Sequence, residues 1–128
     1  MYYRIKLSNI PGVKGILTYL TEEENFAAAF KKVLNEMNDT EIEVEEIKWM
    51  KNFKPAINKK YADTNKLYIV KIAEDIKQDN GTVKTVKYEL PVFANDSNEL
   101  QMIVNDYISQ GMENMRLTTI SETKWIFV

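Results

Sequence analysis

The chain has 128 residues, 45% of them hydrophobic, which is the size of a single domain and enough to bury well over half of the surface that its unfolded form exposes. It contains neither cysteine nor histidine, so disulfides, thiolate chemistry, Ser-His-Asp triads and Cys/His metal sites are excluded, and any catalysis would rest on carboxylates, Lys or Tyr. With 17 basic against 19 acidic residues the net charge is -2, which argues against a uniformly basic nucleic-acid binder and moves attention to local patches.

The opening Met1-Tyr2-Tyr3-Arg4 passes directly into alternating residues, and no apolar run is long enough for a secretory core or a bilayer span. The expectation is a soluble, cytoplasmic chain with no membrane partner. Tyr3 to Leu7 alternates apolar and polar, and Val13 to Leu20 follows the Pro11-Gly12 turn, so the two runs read as a hairpin. Thr21-Glu22-Glu23-Glu24 supplies an N-cap with a capping-box glutamate. Behind it Phe26, Ala29, Phe30, Val33, Leu34 and Met37 recur at helical spacing, and the helix is expected to stop near Asn38-Asp39. Thr40 to Met50 returns to period two, with Ile42, Val44, Ile47 and Trp49 on alternate faces around a bulge or a strand end.

After a mixed linker the events repeat. Leu67 to Ile72 is a strand, Gln78-Asp79-Asn80-Gly81 signals a type I′ hairpin turn, and Thr82 to Phe93 is the return strand, with Pro91 marking an edge or bulge. Asp96 or Ser97 caps a helix with the apolar face Leu100, Ile103, Val104, Tyr107 and Ile108, which ends at Gly111, and a last strand runs from Met115 to Val128. Phe26, Ala29, Phe30, Val33 and Leu34 match the second helical face at an offset of 74 residues, Glu46-Ile47-Lys48-Trp49 matches Glu122-Thr123-Lys124-Trp125 at 76, and Tyr3 and Lys6 match Tyr68 and Lys71 at 65. The fold class is therefore α+β: two ββαβ repeats packed as a pseudo-symmetric pair, mainly antiparallel sheet, one helix per repeat. A single domain is expected, with repeat 1 at residues 1–52, a linker at 53–65 and repeat 2 at 66–128. The pattern leaves open whether the strands form one sheet or two.

The paired units, and in particular Tyr68-Ile69-Val70-Lys71-Ile72, Val92-Phe93-Ala94-Asn95-Asp96 and Ile120-Ser121-Glu122-Thr123, resemble an uncharacterised domain family of Bacteroidota and their crAss-like phages. The resemblance covers nearly the whole chain and implies a phage or mobile-element accessory protein, acting in the host cytoplasm, with no catalytic residues to carry over. Lys124 departs from the family's final strand, where an apolar residue is common.

Two constellations carry chemistry. Glu46-x-Lys48 and Glu122-x-Lys124 have the acidic-x-Lys spacing that puts a metal-holding carboxylate and a phosphate-steadying lysine on one face of a strand, as in metal-dependent nucleases. The further Asp of that core is missing from the expected place, and an ordinary ion pair on a solvated strand is the simpler account. The second constellation is residues 48–61, with five lysines, three aromatics and no acid: Lys48, Trp49, Lys51, Phe53, Lys54, Lys59, Lys60 and Tyr61. Lysines beside stacking aromatics suit single-stranded nucleic acid, or an anionic phage or host protein. Packing of Trp49 and Phe53 beneath a solvated linker is the structural alternative. The acidic run Glu41, Glu43, Glu45, Glu46 reads as a solvated face, Asp79-Asn80-Gly81 as a turn, and Asn38-Asp39-Thr40 and Asn95-Asp96-Ser97 as helix-end residues.

These observations favour a non-enzymatic binding module with no cofactor, contacting nucleic acid through the lysine-aromatic linker. The competing readings are a metal-dependent nuclease or phosphodiesterase on Glu46 and Glu122, and an assembly protein forming homo-oligomers through its sheet edges.

Overall fold

The computed structural model describes residues 1–36, 42–110 and 114–128. In chain order its elements are β1 (Tyr2–Ser8), β2 (Leu17–Glu22), α1 (Phe26–Asn35), β3 (Glu43–Trp49), a short 3₁₀ helix (Lys59–Tyr61), β4 (Lys66–Lys77), β5 (Val83–Ala94), α2 (Ser97–Gln110), β6 (Met115–Glu122) and β7 (Ile126–Phe127). The chain is α+β, with its strands in two separate sheets ordered β3-β1-β2-β7 and β5-β4-β6. Two compact units result, Met1–Lys51 with Lys124–Val128, and Asn52–Thr123. Residues 53–65, read from sequence as a linker, thus belong to the second unit, and the last five residues to the first. Among the described residues no helix is long and apolar enough to cross a membrane.

In the first unit the Pro11-Gly12 turn forms as expected. Val13 N–H donates to the Ile10 carbonyl at 3.1 Å and Gly12 takes φ +77, the positive value that the third position of a type II turn requires and that glycine adopts without a Cβ clash. Alternation along β1 places Tyr3, Ile5 and Leu7 on one face, where they pack with Tyr19 of β2 and with Ala29 and Val33 of α1. The helix start differs from the capping box expected at Thr21. Asn25 is the N-cap, its side chain accepting from the Ala28 N–H at 2.9 Å, and the first turn of α1 carries no acid. Thr21 continues β2, fully buried, and its hydroxyl donates to the Val128 carbonyl at 3.1 Å. Pairing with β1 extends through Thr21 and Glu22, opposite Tyr3 and Tyr2, so the ladder outcompetes a cap at this position. The Met37 core position, the Asn38-Asp39 helix stop, Asn38-Asp39-Thr40, Glu41 and the Gly111 helix end lie outside the described residues.

In the second unit β4 and β5 form a long hairpin paired without interruption from Lys66↔Ala94 to Lys77↔Val83. The turn is not the expected type I′. Gly81 alone takes positive φ, at +86, its N–H donates to the Gln78 carbonyl, and the Gln78 N–H donates to Thr82. That pattern is a type I turn followed by a glycine bulge, and Asn80 uses its side chain instead to accept from the Thr82 N–H and hydroxyl. Tyr68, Val70, Ile72, Tyr88, Leu90 and Val92 face α2, which contributes Leu100 and Val104. The last strand is also shorter than expected. β6 ends at Glu122, and Ile126–Phe127 form β7, which pairs in parallel with β2 of the other sheet.

Both units share one connection order, with the first strand central, flanked by the second and the third. The pairing also corrects the offsets read from sequence. The helix N-caps Asn25 and Asp96 are 71 residues apart, as are the buried helical pairs Ala29 and Leu100, and Val33 and Val104. The value of 74 is thus nearly one helical turn out of register. In the third strands Glu46 opposes Lys6, and Thr119 opposes Lys71, which makes the offset 73 in place of 76. Glu122 therefore corresponds to Trp49, and Glu122-x-Lys124 is not the counterpart of Glu46-x-Lys48.

Leu90 is fully buried beneath α2 whereas Met102 is 73% exposed. Leu90→Ala is expected to cost about 2–5 kcal/mol of unfolding free energy. Met102→Ala is expected to stay within about 0.5 kcal/mol, both read from urea denaturation.

Candidate functional site

The lysine-aromatic residues are distributed over both units. Lys48 and Trp49 end β3 and Lys51 follows, in the first unit, whereas Phe53, Lys54, Lys59, Lys60 and Tyr61 belong to the second. Trp49 pairs with Tyr3 across the strands yet remains 52% exposed, so it is not packed away beneath the following segment. Phe53 is partly buried, and Tyr61 is 46% exposed.

What orders the second group is the outer edge of β5. Lys54 N–H donates to the Glu89 carbonyl and Glu89 N–H to the Asn52 carbonyl, then Ile57 N–H donates to Pro91 and Phe93 N–H to Ile57, at 2.9 to 3.1 Å. Residues 52–58 thereby run parallel to β5, with bridges Phe53↔Glu89 and Ile57↔Val92. Pro91 faces this edge, where its missing N–H interrupts no bond to β4, as the sequence expectation of an edge proline requires. Asn58, at φ +60, turns the chain into the 3₁₀ helix Lys59–Tyr61. The Lys54 ammonium lies 5.2 Å from the centre of the Tyr88 ring, and that of Lys60 lies 5.0 Å from the centre of Tyr61. Among the described residues no carboxylate lies within ion-pair distance of Lys51, Lys54 or Lys60. All three residues are exposed.

Beside the same edge lies an open cleft of about 390 Å³, lined by Asn52, Lys71, Ile72, Lys87, Tyr88, Glu89, Thr118 and Thr119. Sequence reading did not find it. Lys71, Glu89 and Thr119 are in register across the three strands, and alternation within each strand marks them as one polar face. Assembling them needs the pairing register, which no single strand encodes. Tyr88 turns its side chain to the opposite face, toward α2, where burial and the contact with the Tyr107 hydroxyl at 3.4 Å raise its hydroxyl pKa.

The acidic-x-Lys pairs are engaged structurally. Glu46 accepts from Arg4 Nε and Nη2 at 3.1 and 2.6 Å, and Lys6 lies 3.9 Å from its other oxygen. The guanidinium of Arg4 also lies 5.6 Å from the centre of the Trp125 ring. The hydrogen bond from Arg4 holds the Glu46 carboxyl below its ordinary range, with the charges of Arg4, Lys6 and Lys48 acting in the same direction. Glu122 pairs with Lys66 at 3.4 Å on an exposed surface, and Glu45 accepts from the Ser8 hydroxyl. Among the described residues no three acidic side chains converge as a metal site. In the second unit Asp75 is held low in the same way, first by the Thr85 hydroxyl and then by Arg116.

Both depressed carboxylates stabilise the folded state fully above their ordinary values of 4.5 for Glu46 and 3.8 for Asp75, and that contribution is lost as pH falls through the lower folded values. Arg4→Met is therefore expected to lower the urea midpoint at neutral pH by a small margin. The difference from the parent should shrink as pH falls below the ordinary carboxylate value of 4.5 and Glu46 becomes protonated.

No protein-family model, curated protein or solved structure matches the chain.

Proposed function

We propose that the chain is a non-enzymatic accessory binding module, of the phage type that its motifs resemble, and that it contacts single-stranded nucleic acid through residues 52–61. The observation that carries this reading is the ladder on β5, which holds Lys54 beside Tyr88 and delivers Lys59, Lys60 and Tyr61 on one short helix. A segment already fixed by backbone bonds loses little further freedom on binding, so its lysines can neutralise phosphates while Tyr61 offers a stacking face. Lys71 and Lys87 line the cleft beside the same edge together with Glu89, on the sheet face opposite Tyr88. Lys48, Trp49 and Lys51 precede the segment in sequence and belong to the first unit, where the Trp49 indole is exposed.

Fluorescence anisotropy with labelled single-stranded DNA and RNA tests this. Binding is expected to weaken with salt, with a logarithmic slope of about -0.7 per phosphate contact. Joint replacement of Lys51, Lys54, Lys59 and Lys60 by Glu is expected to abolish it with an unchanged circular dichroism spectrum. Tyr61→Ala is expected to cost about 1–3 kcal/mol if a base stacks there. Absence of binding at low salt would remove nucleic acid and leave an anionic protein as the partner class, and binding indifferent to the lysine changes would remove these lysines as the contact.

A further inference from the structure

The two sheets treat their edges differently. The outer edge of β5 is covered by residues 52–58 and that of β2 by β7, which among the described residues leaves β3 and β6 as the long strands paired on one side only. β3 carries Glu43, Glu45, Glu46 and Lys48 within seven residues, the kind of charged edge that repels a second strand. β6 has no such defence. Its eight residues, Met115-Arg116-Leu117-Thr118-Thr119-Ile120-Ser121-Glu122, contain neither Pro nor Gly, and from Arg116 onward all are exposed. Both of its charges are engaged within the sheet, Arg116 with Asp75 at 2.8 Å and Glu122 with Lys66 at 3.4 Å.

The register of β6 makes this edge complementary to itself. Thr123 N–H donates to Leu67 and Asp75 N–H to the Asn114 carbonyl at the two ends of the β4–β6 ladder. By alternation, Ser121, Thr119 and Arg116 direct their backbone groups toward β4, and Ile120, Glu122, Leu117 and Met115 direct theirs outward. The register shift between Lys71 and Ile72 places Leu117 opposite Ile72 and Ile120 opposite Val70, so both apolar side chains lie on the α2 face, 36% and 37% exposed. Two β6 strands laid antiparallel about a twofold axis between Thr118 and Thr119 would set Leu117 against Ile120 of the second copy twice over. The same register sets Arg116 against Ser121, and no like charges oppose each other.

We infer that β6 is a self-association edge, pairing with β6 of a second copy of this chain to join two β5-β4-β6 sheets into one continuous sheet. This inference is independent of the nucleic-acid reading. Light scattering coupled to size-exclusion chromatography over a concentration series is expected to show a species of twice the 15.0 kDa chain mass. Leu117→Lys and Ile120→Lys, both at exposed positions, are each expected to return it to the monomer with an unchanged circular dichroism spectrum. Val44→Lys on β3, also exposed, is expected to leave the dimer intact. A chain that stays monomeric at the highest concentration overturns the inference. So does a dimer indifferent to both β6 changes, or one lost equally on Val44→Lys.

Discussion

One extra residue in the third strand of each unit sets the orientation of the remaining side chains of that strand. Side chains in a strand alternate with period two, so a bulge exchanges the inward and outward sets beyond it. In β3 the shift falls between the partners Lys6 and Leu7, and in β6 between Lys71 and Ile72. Without it, Thr118 and Arg116 would face α2, and Leu117 and Met115 would face away. With it, Met115 packs against the core of the second unit and lies 3.7 Å from the Tyr88 hydroxyl. The same displacement puts Arg116 on the face of Asp75, where the two form their ion pair. Packing, electrostatics and the character of the free edge all follow from this single register change.

Edge management explains where the lysine-rich segment lies. A central strand satisfies both of its ladders within the sheet, but β5 has one ladder to spare, and residues 52–58 take it up. Pro55 and Pro91 both stand along this ladder, where neither residue must donate. The segment is thereby extended and anchored, its backbone used and its lysine side chains exposed, which distinguishes it from a solvated linker. The acids of the chain are arranged differently. Glu46, Glu122 and Asp75 each have a cationic partner, while Lys51, Lys54 and Lys60 have none among the described residues. A chain of net charge -2 can therefore present local positive charge.

Much of the architecture was legible in the sequence because period-two and helical spacing are local. Tyr3, Ile5, Leu7, Ala29 and Val33 are core residues as their spacing indicates, and so are Val70, Ile72, Leu100 and Val104. The alignment of one unit on the other is not legible in periodicity, because an amphipathic helix matches itself after a shift of one turn. The N-caps Asn25 and Asp96 resolve it. So does the broken alternation in the third strands, where the apolar positions Val44 and Ile47 correspond to Leu117 and Ile120.

By itself, then, the sequence determined the α+β class, the order of strands and helices, the faces that turn inward and the chemistry that is absent, since each depends on residue type and near spacing. The tertiary structure alone decided that the strands form two sheets, that the last residues join the first, and that Thr21 extends a strand instead of capping a helix. It also decided which carboxylates are neutralised and which lysines are not, and it built the cleft beside Asn52. Those outcomes depend on pairing register between residues far apart in the chain, and register is set by the competition among all the strands at once.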